Sequence, residues 1–483
     1  MRMRTTTEPN EDELVQLMKN DPIGRNRELG YLVRLLDANP EGLSIFLNGT
    51  WGSGKSYFVR QAELLLRALN PNLGDVDDLT TEDVSKVVGP ERTTTAGGRW
   101  YLPVYFNAWR HDAFGEPVLS LMCDIADMEG IRPERDWDRE SFKGLLAGIA
   151  KCLMKATLPA GVPDLTGDAA DMLRAVLSLP RPADDPLEEY RSRKKLDEHV
   201  DGLVRQALRA AGSDERPADA IVMFVDELDR CRPSYAMEVL ESVKHLLVRP
   251  DVVVVFSVDA RQLAETIRGA YGMGYDADRY LRRFYDVALL LPEVDMASFA
   301  EGALGQSKPT TGFDLVAREL TGGGELVMRD AVQLYEMLSH AKAMRCKGAD
   351  ALDVAVNEAL CPLVCYLQVT RQADLESAVL RGEVGDGIFG CVDGSRTLRR
   401  ILDNVIAEAT SHPGWPGTWT IPDPNDAYDN IRKDLLRDLL LIYLTKEGVR
   451  AREDALGRLT DEANLDKRRN VLRGVLERWA AQG

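Results

Sequence analysis

The sequence predicts an α/β protein: a parallel sheet covered by helices on both faces, with a helical insertion inside it and a mainly helical region after it. Short apolar runs recur at Leu43 to Leu47, Tyr101 to Asn107, Ile221 to Val225, Val252 to Phe256 and Val287 to Leu291. Helical text separates them, and strand signals fade beyond about Asp295. Runs that are apolar throughout, rather than alternating, are what strands buried on both faces require.

Taken in order, residues 1–20 are polar and read as an arm or a short helix. From Asp21, D-P-I-G-R-N-R-E-L sets a turn before an amphipathic helix through Leu29, Leu32, Leu35 and Leu36. The first strand, a glycine-rich loop and a helix from Lys55 towards Pro71 follow. The Thr- and Asp-rich passage from Asp75 to Gly98 reads as a loop or a poorly ordered excursion. Residues 131–219, charged and Pro-rich (R-P-A-D-D-P), break the alternation and read as an insertion between two halves of one core, 21–130 and 220–295. Residues 296–483 form the helical remainder, in which Leu435, Leu436, Leu439, Leu440 and Leu444 mark one strongly apolar helix and H-P-G-W-P-G-T-W-T-I-P-D-P the main irregular piece.

At 483 residues the chain exceeds what one domain usually holds, and 45% hydrophobic with 29% charged residues is ordinary globular composition. A net charge of −18 repels phosphate backbones, so broad nucleic-acid binding is not indicated, although a local basic groove is compatible with it. The polar start M-R-M-R-T-T-T-E predicts no signal peptide. No transmembrane segment is expected, because the nearest apolar stretch, Gly144 to Val162, is cut by Lys151 and Lys155. Seven scattered cysteines suit a reducing, cytoplasmic setting better than a disulfide framework. Cys361 and Cys365, one helical turn apart in apolar text, read as buried thiols rather than metal ligands.

Gly49-Thr50-Trp51-Gly52-Ser53-Gly54-Lys55-Ser56 matches G-x-x-x-x-G-K-[ST]. Glycines let such a loop wrap inward so that successive N–H groups meet phosphate oxygens, and the helix that follows adds the positive end of its dipole. Lys55 is the phosphate counter-charge, and Ser56 offers a hydroxyl to Mg²⁺. The loop follows a predicted strand and opens a predicted helix, the context the mechanism requires. I-V-M-F-V-D-E-L-D-R then delivers Asp226 at the carboxyl end of a buried strand, where ligands bind in open α/β sheets. Asp226 is placed to hold Mg²⁺ through water, Glu227 to polarise an attacking water, and Asp229 is a second acid for either task. ATP and Mg²⁺ are therefore the expected cofactors.

These residues resemble the KAP family of P-loop NTPases, in the additional-strand, catalytic-glutamate division. The matching text is F-N-A-W (Phe106 to Trp109), V-D-E-L-D-R-C-R-P (Val225 to Pro233), E-V-L-E-S-V-K-H-L-L, V-F-S-V-D-A-R (Val255 to Arg261) and Y-L-R-R-F (Tyr280 to Phe284), within about residues 21 to 295. The resemblance implies ATP binding, a five-stranded core of order 5-1-4-3-2 and a regulatory or signalling role. Bacterial members often belong to mobile or anti-phage defence loci. Many relatives insert transmembrane helices where this chain has only its polar insertion.

Asn107, ending the second strand, is expected near Glu227, either as a switch holding the glutamate or as a structural cap. Ser257 and Asp259 end the fourth strand and are candidates to sense the γ-phosphate, with Asp259 also a helix cap. The resemblance makes Arg283, with Arg279 and Arg282, candidates for an arginine finger in a homo-oligomer; surface pairing is the alternative. Arg329 is a further arginine candidate. Trp109, His111 and Asp112 find no nucleophile, and Trp109 is expected to pack at the sheet edge. The functional expectation is a nucleotide-driven switch acting on an unknown protein partner. A non-catalytic scaffold that uses ATP to hold its shape is the alternative, and a P-loop kinase is disfavoured because no lid-like arginine pattern is readable.

Overall fold

The computed structural model of the protein describes residues 9–127 and 186–302 apart from 75, 95–97, 114 and 248, together with 149, 326–343 and parts of 317–322 and 362–370. Residues 9–293 form one compact unit, and a second begins at Val294.

In the first unit, β1 (Leu43–Asn48), β2 (Tyr101–Asn107), β3 (Ala220–Asp226), β4 (Val252–Val258) and β5 (Val287–Leu290) make one sheet. Its order is β2-β3-β4-β1-β5 and every neighbouring pair is parallel, which is the expected 5-1-4-3-2 order viewed from the other edge. The three central strands are apolar on both faces because both are covered. Ile45, Leu47, Val222, Phe224, Val253 and Val255 pack under α2 (Asn26–Ala38), α3 (Lys55–Ala68) and α4 (Thr81–Val88). Phe46, Met223, Val225, Val254 and Phe256 face α7 (Pro117–Asp127), α8 (Pro186–Ala210), α9 (Pro233–Leu246) and α10 (Ala260–Tyr271). The remaining short helices of this unit are α5 (Pro90–Thr94), α6 (Ala108–His111) and α11 (Ala277–Leu281).

Of the two forms open to the first twenty residues, residues 11–20 take the helical one. Asn10 caps α1 (Glu11–Asn20) by accepting from the Glu13 N–H, and Leu14, Val15, Leu17 and Met18 are buried. The passage from Asp75 to Gly98 differs from expectation, since it contains α4 and α5. Its turn-like composition conceals a capping box: the Thr80 hydroxyl accepts from the Asp83 N–H, and the Asp83 carboxylate accepts from the Thr80 N–H. Val84, Val87 and Val88 at helical spacing then bury against the α2 face, and tertiary burial outweighs β-branched propensity. The described end of the 131–219 passage is α8, whose Val200, Leu203, Val204 and Ala207 join the main core.

In the second unit, α12 (Met296–Gly302) packs on α13 (Met328–Ala343). The leucine-rich helix around Leu435 to Leu444, the H-P-G-W loop and Cys361 lie outside the described residues. Among the described residues no helix is long and apolar enough to cross a membrane.

Thr80→Ala deletes the hydroxyl half of the capping box and should cost about 1 kcal/mol. Chemical denaturation measures the loss, and hydrogen exchange should show protection falling first in α4. Unchanged protection there would mean that the cap does not hold the helix.

Candidate functional site

Three strands deliver the site to one edge of the sheet: β1 ends at the glycine loop, β3 at Asp226 and β4 at Val258. The loop is stitched in at its entry, where the Gly49 N–H donates to the Val258 carbonyl at 3.2 Å. Gly52 and Gly54 have φ of +81° and +85°, which side chains rarely adopt. At Gly49 closeness is the reason for glycine, since a Cβ would stand 2.7 Å from Ser53 Oγ. That hydroxyl is buried and has no hydrogen-bond partner. Gly54 caps α3 without a side chain, leaving the positive end of the helix open to an anion. Gly49, Thr50, Trp51, Gly52, Ser53, Gly54, Lys55 and Ser56 thus form one loop leading into the open N-terminus of α3.

Lys55 is only 9% exposed, and its Nζ donates to the carbonyls of Gly49 at 2.7 Å and Thr50 at 3.2 Å. Burial pushes its ammonium below its usual pKa, while Asp229, Asp259 and Asp226, in that order, pull it back up. It is a buried cation among acids rather than a surface lysine.

Asp226 is 1% exposed and accepts from the Tyr105 hydroxyl at 3.1 Å. Arg60 of α3 lies 4.5 Å over the Tyr105 ring. Burial, followed by the charge of Asp226, drives the Tyr105 phenol far above its ordinary pKa, so it stays a donor. Glu227 leaves the ladder with φ +60°, a left-handed backbone rare outside glycine. Its carboxylate pairs with Arg230 at 2.9 Å and accepts from Asn107 Nδ2 at 3.4 Å. Burial raises its pKa; Arg230 and Asn107 lower it, and Asp226 and Asp229 raise it further. Asn107 also accepts from the Arg110 N–H, so it caps α6 while its amide touches Glu227.

Asp229, 7% exposed, accepts from the Trp51 indole at 2.6 Å and from the Asp259 N–H at 3.3 Å. Asp259 caps α10 through the N–H groups of Arg261 and Gln262. Ser257 is fully buried between Leu47 and Asp226, and its hydroxyl lacks a partner.

Several participants escape sequence reading. Arg25, almost completely buried, donates to the Ser53 carbonyl at 3.3 Å. Tyr105 becomes legible only with the β2–β3 register, which sets it beside Phe224, two residues before Asp226 on the same face. Arg230 had a local signal, three residues after Glu227 in a turn.

The outlying candidates are placed differently. Arg279, Arg282 and Arg283 are exposed, and among the described residues none reaches the glycine loop by a hydrogen bond or ion pair. Arg283 lies 5.8 Å from the centre of the Tyr280 ring, and its carbonyl accepts from Lys244. Arg329 is exposed near the start of α13. Trp109, expected to pack, is 55% exposed with Arg230 5.7 Å from its ring centre: β2 has ended, and the side chain points off the sheet edge. His111 stacks on Phe106 and faces Asp124 at 3.2 Å, while Asp112 receives Arg232. Cys365 is buried.

The family model described as the KAP family P-loop domain matches residues 29–306. The chain belongs to the KAP family. The matched stretch contains all five strands, the glycine loop and every acid of the edge. No curated protein matches the chain. KAP membership makes this a nucleotide-binding P-loop domain, and the residues fit the group it implies. The unpartnered Ser53 hydroxyl, the Gly49 cradle and buried Lys55 suit phosphate. Ser56, half-buried in the first turn of α3, and Asp226 are the residues that would hold a Mg²⁺ ion. Among the described residues no cluster of three or more His, Cys, Asp or Glu could cage a metal. Sparse protein ligands suit Mg²⁺, which keeps its waters and shares phosphate oxygens.

Lys55→Ala should weaken ATP binding by about a hundredfold or more, because it removes a charge-assisted contact. Calorimetric titration tests this, and unchanged affinity would sink the phosphate assignment. Asp226→Asn should abolish the Mg²⁺ dependence of ATP binding, whereas Glu227→Gln should leave that dependence intact and stop turnover. Identical binding defects in the two would show that the division between metal holder and base is wrong.

Proposed function

We propose that the protein is a Mg²⁺-dependent ATP-hydrolysing switch whose resting state restrains its own base. The observation that carries this reading is the double hold on Glu227 by Arg230 and Asn107 in a left-handed backbone. A carboxylate paired to a guanidinium is a weak acceptor for a water proton, so turnover needs that pair to open. Once it opens, Glu227 takes the proton, the water oxygen bonds to the γ-phosphorus, and the bond to the β–γ bridging oxygen breaks. Lys55 and the loop N–H groups hold the phosphates throughout. Mg²⁺, when bound by Ser56 and Asp226, neutralises charge on the transferring group. Asn107 and Asp259, at the ends of β2 and β4, are positioned to respond to the γ-phosphate.

Assembly belongs to the same reading. Arg283, with Arg279 and Arg282 beside it, is exposed, and among the described residues its guanidinium makes no hydrogen bond or ion pair to the glycine loop of its own chain, which suits an arginine offered to a neighbouring copy. The described cysteines Cys123, Cys231 and Cys365 are buried, and buried, scattered thiols suit the reducing, cytoplasmic setting we favour. A regulatory role acting on a protein partner, in anti-phage defence as for many relatives, is the biological setting we favour.

Arg230→Ala should raise basal ATP turnover several-fold at saturating ATP with little change in ATP affinity; a fall in turnover would show that Arg230 assists the reaction instead. For assembly, activity per molecule should climb with protein concentration, since an arginine supplied in trans raises turnover by ~10³ or more. Inactive Arg283→Ala mixed with inactive Lys55→Ala should then regain partial activity. A dead mixture with concentration-independent turnover would leave a monomeric switch.

A further inference from the structure

The glycine loop is held to the body at three points. The entry is held by the Gly49 N–H on the Val258 carbonyl, and the exit by Arg25 on the Ser53 carbonyl. The apex is held by a side chain of its own: the Trp51 indole N–H donates to Asp229 Oδ2 at 2.6 Å, the shortest of the three contacts. Trp51 is 50% exposed, so little packing fixes it beyond that bond. Asp229 is buried, and the same oxygen receives the Asp259 N–H at 3.3 Å. One carboxylate oxygen therefore ties together the loop after β1, the turn after β3 and the segment after β4.

From this geometry we infer that Asp229 is a positioning residue, the anchor of a Trp51–Asp229 clasp that holds the loop apex in its phosphate-receiving shape. This rests on the nucleotide-site reading above and narrows it, because Asp229 then acts through Trp51 and not on the attacking water or the metal. A glycine-rich apex freed of its clasp samples many conformations, and binding must order it again. The loss therefore appears in affinity, and chemistry at saturating nucleotide is spared.

The cleanest probe is Trp51→Phe, which keeps an aromatic side chain and the local charge and removes the donor with the pyrrole half of the indole. Substituting Asp229 is less clean for affinity, because removing a negative charge beside Lys55 itself favours phosphate. ATP titration of Trp51→Phe should show affinity about tenfold weaker, the scale of a hydrogen bond to a charged group. The loss should appear in KM far more than in kcat, the split expected of a positioning residue. On an Asp229→Ala background, Trp51→Phe should weaken binding no further, because the clasp is already open. Asp229→Asn, whose amide oxygen still accepts from the indole, should weaken ATP binding less than Asp229→Ala.

Wild-type affinity in Trp51→Phe would overturn the clasp. So would an undiminished effect of Trp51→Phe on the Asp229→Ala background, which is informative even if either substitution lowers the melting temperature. A large fall in kcat for Asp229→Asn with ATP affinity retained would show that Asp229 works on the reacting atoms. Lys55→Ala binding ATP as tightly as wild type would bring down the nucleotide site itself, and the clasp with it.

Discussion

The buried ammonium of Lys55 is the charge around which this edge of the sheet is arranged. Taken out of water, it is stabilised by the carbonyls of Gly49 and Thr50 and by the fields of Asp229, Asp259 and Asp226. Asp226 and Asp229 come from the end of β3 and its turn, Asp259 comes from the end of β4, and only the strand order brings both segments to the loop after β1. With β4 between β1 and β3, the ends of all three strands converge beside the loop. The balance is still acidic, because Glu227 joins the three aspartates while Arg230 is the cation paired within the turn. Such an edge repels bare triphosphate and favours a triphosphate that arrives with a divalent cation. On the proposed reading, the acids that surround Lys55 would also favour a Mg²⁺ ion beside the phosphates.

How much of this was legible in the sequence depends on the range over which each signal acts. The glycine loop, Lys55 and the Asp226–Glu227 pair were readable because their chemistry lies within a few residues and sits at the junctions of apolar runs. The strand runs were readable because burial on both faces leaves an uninterrupted apolar pattern. α4 was hidden because Thr80, Asp83 and the valines resemble turn and strand material until the α2 face is present to receive them. Tyr105, Arg25 and the Trp51–Asp229 bond were hidden for a different reason. Their partners lie 121, 28 and 178 residues away, and no local pattern distinguishes a tyrosine that orients a carboxylate from one that fills a core.

The edge also divides into parts that cannot move and a part that can. Asp226 is fixed by the β3 ladder on both sides and by Tyr105, as befits a metal holder. Glu227 has left the ladder, and the turn it opens is closed by the Arg230 N–H on the Glu227 carbonyl at 3.1 Å. Within that turn Asp229 reaches the loop apex, and Arg230 grips the Glu227 carboxylate. The contact that shapes the loop apex and the contact that holds the glutamate therefore share one turn but use separate side chains, Asp229 and Arg230. On the proposed reading, loss of the clasp would fall on affinity and leave the Arg230–Glu227 pair in place, whereas loss of Arg230 would free the base without loosening the apex.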